Sequence, residues 1–210
     1  MKLENNVLFA IDDYEMKKLD SSLMHACFAI EATARNLYSM RNVTNKEYKR
    51  CIRDYIWIIE AMIGGGLNLE ETPWKNLREN FRCYKENGRP IENPDLADVI
   101  YYIFRCNNAH GKEVPINYQI LPCEDGRSGW IIADGVLQMP ERIIWALLAI
   151  SVFSKANNNI KTSGNHYLTW GSESLGLGTK KFIIKDWWGR EDDFKDFISK
   201  QNIIRVKLEL

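Results

Sequence analysis

The segment "NPDLADVIYYIFRCNNAHG", residues 93–111, decides how the rest of the chain is read. Leu96, Val99, Ile100, Ile103 and Phe104 recur at three- and four-residue intervals, the spacing that puts one apolar stripe on a helix. Asn93 suits the cap, Pro94 the first helical position, and Asp95 and Asp98 complement the positive end of the helix dipole. Gly111 is a natural stop. A helix therefore runs from the mid-90s to 110, and its last turns carry Arg105, Asn107, Asn108 and His110 instead of more apolar residues.

Helical spacing also dominates on either side. Leu19, Leu23, Ala26, Cys27, Ile30, Ala34 and Leu37 predict a helix within 15–40, and Tyr48, Cys51, Ile52, Tyr55, Ile56, Ile59 and Met62 predict another over 45–63. Three glycines at 64–66 end it, because glycine gives up the most backbone entropy in a helix. "TPWKNLRENFRCYKE" reads as a shorter third helix with Pro73 in its first turn.

After Gly111 the period changes. "GWIIADGVLQMP" places two β-prone runs around Asp134-Gly135, a hairpin signal over about 129–139, and "INYQILP" offers a further strand. Pro140 then introduces an apolar helix over 141–156. Beyond it, "KKFIIKDWW" and "NIIRVKLEL" look like strands flanking a helix in "REDDFKDFISK". The expected fold class is mainly α: an antiparallel helical bundle over residues 1–156 with a β-hairpin insertion, followed by a small α+β appendage over 157–210.

Composition narrows the function classes. The 210 residues carry 28 basic and 28 acidic side chains, so the broad basic excess of a protein that wraps duplexes is missing, and nucleic-acid contact has to be local. Local excesses do occur, at Arg41, Lys46, Lys49, Arg50 and Arg53, and at Lys75, Arg78, Arg82, Lys85 and Arg89, with Trp74 and Tyr84 as stacking partners. The five cysteines are scattered without a CxxC pair, which points to reduced thiols in a cytoplasmic protein. "IIWALLAISVF" is about half the length of a bilayer span, so no membrane partner is expected. His25 reads as a core or interface histidine, His166 has no ligand-spaced partner, and "GLGTKK" lacks the spacing of a phosphate loop. No metal and no cofactor are expected.

Arg105 and His110 carry the chemistry. Imidazole titrates near pH 6.5 and exchanges a proton at little cost at neutral pH, while a guanidinium fork matches two phosphate oxygens. RNA cleavage needs a base for the 2′-hydroxyl, a cation for the phosphate and an acid for the leaving oxygen. One histidine cannot hold both proton states at once, whereas two copies across a homodimer can. Asn107 and Asn108 are candidate substrate-positioning groups, and the last carbonyls of the helix favour a protonated histidine.

The Arg–His spacing in "RCNNAH", the helix "LMHACFAIEATARNLY" with Glu31 among small and apolar residues, and the hairpin followed by an apolar helix together resemble the HEPN superfamily (higher eukaryotes and prokaryotes nucleotide-binding). The resemblance spans roughly residues 15–156. It implies a metal-independent endoribonuclease with Arg105 and His110 as catalytic residues at a site shared across a homodimer, with RNA as substrate. A toxin or defence role would add an antitoxin protein as a partner. The family commonly has a polar residue where this chain has Cys106. Two other readings stand beside it: a non-catalytic helical dimer that binds nucleotide, RNA or a protein, and a structural pair that caps its own helix.

Overall fold

The apolar spacing within 15–40 becomes α2 (Leu19–Leu37), the helix around which the others gather. The structure, a computed structural model, describes residues 2–63, 68–69, 83–85, 87–109, 111, 114–115, 117–122, 130–133, 136–171 and 178–201. It is mainly α. The first helix, α1 (Leu3–Glu15), was not expected from the sequence. It buries Leu3, Val7, Ala10 and Ile11, a four-, seven- and eight-residue spacing, along α2.

The predicted helix over 45–63 is two helices, α3 (Asn45–Asp54) and α4 (Ile56–Ile63). Thr44 and Glu47 form a capping box at the start of α3. At the break between them, Tyr55 puts its hydroxyl 2.9 Å from both Ser154 Oγ and a Glu191 carboxylate oxygen. That buried polar link fastens the α3–α4 corner to two later segments. Most of the third predicted helix lies outside the described residues. Its end, Cys83–Lys85, is extended: Tyr84 bridges Pro90, and the Ile91 N–H donates to the Cys83 carbonyl.

Residues 96–109 form one rod of three parts: α5 (Leu96–Val99), a π-helical segment (Ile100–Arg105) and α6 (Cys106–Ala109). The expected hairpin is present as β2 (Ile131–Ala133) paired antiparallel with β3 (Val136–Pro140), in register Ile131–Gln138 and Ala133–Val136. β1 (Tyr118–Leu121), the further strand, runs parallel to β3 on its other edge, so the order is β1-β3-β2. β3 leads into α7 (Arg142–Phe153), a helix buried nearly all round and packed on α2 and α4. Mean hydropathy of that kind belongs to a core helix; among the described residues no helix is long and apolar enough to cross a membrane.

The described part of 157–210 shares this core. β4 (Tyr167–Trp170) pairs antiparallel with β5 (Lys180–Ile183), and α8 (Glu191–Ser199) follows. Phe153 of α7 stacks on Phe194 of α8 at 4.0 Å, and Phe182 of β5 meets Phe194 and Phe197 edge-on. The Trp170 indole N–H donates to the Ala61 carbonyl at the end of α4. "IIKDWW" is only partly a strand, since Ile184–Asp186 forms a 3-10 turn, and "NIIRVKLEL" lies outside the described residues. Gly189 is required where it stands: its φ is +73°, and a Cβ there would fall 2.4 Å from Asn158 Cα.

Candidate functional site

Two residues earlier than Asn93 and Pro94 implied, the rod has a different start. Asp95 is the N-cap, with Asp98 completing a capping box. The two acids also receive Arg53 and Lys49 from α3: Arg53 Nε donates to Asp95 at 2.6 Å and Lys49 Nζ to Asp98 at 2.9 Å. Burial pushes the Asp95 carboxyl up, but Arg53 and the Asp98 N–H outweigh it and hold the group below its ordinary range.

From Ile100 the hydrogen bonds change phase. The Cys106 N–H bonds to the Tyr101 carbonyl, five residues back, where an α-helix reaches four. Ile100 through Phe104 are all buried, between α2 on one side and α3 on another. Arg105 closes this segment and is the first side chain of the rod after Asp98 to reach solvent, 22 % exposed. π-Helical turns inside α-helices often mark functional positions because they re-aim side chains.

Arg105 Nη2 donates to Glu31 Oε2 of α2 at 2.8 Å, and its guanidinium carbon lies 5.5 Å from the centre of the Tyr101 ring. Burial opposes the charge, yet the Glu31 hydrogen bond and attraction prevail and hold the guanidinium firmly protonated. Its Nε is buried with no acceptor. Glu31 also faces Arg35, one turn on, at 3.9 Å. Two guanidiniums thus share one carboxylate and leave about one unit of positive charge at this corner. Beneath it the Cys27 thiol is pushed up to about 12, by burial above all, so it is a core thiol and not a nucleophile.

The other expected residues scatter. Asn107 turns back on its own helix, donating to the Ile103 carbonyl at 2.8 Å, so it is occupied in the rod and not presented to a substrate. Asn108 lies in α6 by its backbone, but its side chain and all of His110 fall outside the described residues. Gly111 takes φ +63°, the left-handed conformation that ends helices. Arg105 is therefore placed, and its distance to His110 is not part of the description. Glu31 was read in the sequence only as an acid within an apolar helix; its role as the partner of Arg105 depends on a contact 74 residues away in sequence.

The basic track is largely consumed within the fold. Lys49 and Arg53 serve Asp95 and Asp98, and Arg50 lies against Asp54 and over the Tyr38 ring. Arg41 and Lys46 remain exposed. Lys75, Arg78, Arg82 and Trp74 lie outside the described residues. His25 sits between Asn6, Asp13 and the Phe9 ring, and His166 hydrogen-bonds Asp12 at 3.0 Å. No group of three or more metal-ligating side chains gathers among the described residues.

The chain matches the Rv1289 family over residues 2–210. It belongs to that family. It is 27 % identical over 206 residues to the uncharacterized protein Rv1289 of Mycobacterium tuberculosis and, to the same extent, to the uncharacterized protein Mb1320 of Mycobacterium bovis. These alignments cover 97 % of this chain and 91 % of each relative. No solved structure matches. The family assignment corrects the resemblance to the HEPN superfamily, because the match runs the whole length of the chain and is to a different family. The resemblance rested on one Arg–His interval and a helical pattern, features many helical proteins share.

Proposed function

We propose that this Rv1289-family chain cleaves RNA by acid–base chemistry without a metal, Arg105 holding the scissile phosphate and His110 moving the proton. The observation that carries this reading is the setting of Arg105. It stands at the end of a π-helical turn, steered by Glu31 and Tyr101, and keeps solvent access while its neighbours on the rod are buried. A histidine follows five residues later, just before the helix-ending Gly111. Such a guanidinium steadies an extra negative charge on a phosphate, and an imidazole accepts the 2′-hydroxyl proton. Two copies of the chain supply one histidine in each proton state.

A second reading is RNA or nucleotide binding without turnover, and the 2.8 Å Arg105–Glu31 pair favours it. A phosphate then competes with Glu31 for the same guanidinium. The deciding experiment is incubation of the purified chain with mixed RNA, with and without a chelator. Cleavage that survives chelation and disappears in both Arg105→Ala and His110→Ala supports the nuclease. Cleavage retained by His110→Ala rules it out. RNA retained intact by the wild type, and released by Arg105→Ala, leaves the binding reading.

A further inference from the structure

The outer face formed by α1 and α2 has no partner among the described residues, and it is built unlike a solvated surface. Phe9 of α1 is 46 % exposed, against the His25 ring at 5.5 Å. A turn along α2, a shallow groove of about 220 Å³ is lined by Asn6, Phe28, Glu31, Ala32 and Arg35. Ligand pockets usually enclose about 300–1,000 Å³, so this groove is small for a cofactor or substrate and suits one inserted side chain. Its rim carries an acid and a base one helical turn apart, Glu31 and Arg35, separated by 3.9 Å and thus only loosely paired.

We infer that a second copy of this chain docks on the α1/α2 face across a two-fold axis. Such an interface must be complementary to itself. Two antiparallel α2 helices crossing near Ala32 satisfy that requirement. Glu31 of each copy then faces the partner subunit's Arg35, the small Ala32 gives close approach, and the Phe28 ring of each fills the other's groove. Exposed Phe9 extends the apolar patch beside it. The pairs across the axis are desolvated on docking, where charge complementarity selects the partner. The same opposition of acid and base disfavours an RNA strand here, since Glu31 repels phosphate.

Sedimentation equilibrium on the full chain without RNA tests this. The wild type is expected to dimerise. Phe28→Glu and Arg35→Glu each weaken the dimer by about tenfold or more, because each opposes like charges or buries one without a partner. Joining Glu31→Arg to Arg35→Glu restores it, because swapping both signs recreates the complementarity. Circular dichroism confirms that each variant is folded. A wild type that stays monomeric overturns the inference, as does a dimer indifferent to all three variants or a double swap that rescues nothing. A monomer in which only added RNA protects Phe28 from hydrogen exchange overturns it in favour of an RNA-binding face. Oligomeric state is read independently of cleavage, so the inference and the nuclease reading fail separately.

Discussion

The two ends of the 96–109 rod treat their charges in opposite ways. At the N-terminal end, Asp95 and Asp98 cap the helix and take Arg53 and Lys49 as partners, with the Asp98 carboxylate nearly buried. Each group has its counterpart. At the C-terminal end, Arg105 has one acid, which Arg35 also faces, and a buried Nε without an acceptor. Buried donors are rarely left orphaned unless something else requires their position. The first end is built for stability, while the second gives up some stability to hold a guanidinium where it can be reached.

Removing Asp98 is expected to have the largest effect on folding. Asp98→Ala strands Lys49 in a mostly buried place and deletes half the capping box, costing about 3 kcal/mol in urea unfolding. Turnover per folded molecule should be unchanged. At the other end the pattern reverses: Arg105→Lys keeps the charge but loses the fork, and RNA cleavage should fall by about a hundredfold with little change in stability. If Arg105→Lys instead destabilises the fold as much as Asp98→Ala, the contrast between the two ends is wrong. Asp95→Ala, at the more exposed cap, is expected to cost about 1 kcal/mol, measured the same way.

Acid provides the gentlest separation. The folded Asp95 carboxyl lies below its ordinary value, so its contribution is complete above the unfolded carboxylate range, near pH 4, and is lost as pH falls through the folded value. An Asp95→Asn variant should therefore show a shallower loss of stability over that strongly acidic window and be indistinguishable from Asp95→Ala at its lower limit. Titrating the wild type and variant by fluorescence of the buried tryptophans checks it.

Much of the helical layout could be read from the chain because burial imposes a period. α2, α7 and α8 follow their apolar spacing, and Asp134-Gly135 marked the β2–β3 pairing. α1 was missed because its apolar positions are interrupted by Asp12 and Asp13, which bond to residues far along the chain. The break at Tyr55 follows from a hydroxyl reaching Ser154 and Glu191, a contact with no local signature. At the site, the position of Arg105 near a helix end was legible. Its partner was not, and neither was Asn107 bonding back to Ile103. Spacing reports which face is apolar; it is silent about which distant carboxylate folds against a given base.

A backbone that closes its rings over five residues instead of four carries one spare link in its length. Deleting a single residue between 100 and 104 lets the rod relax to an ordinary winding, and everything after the cut turns by about 100°. Arg105 would swing off α2 although no functional group had been altered. Here the count of amino acids, as much as their identity, aims the charge.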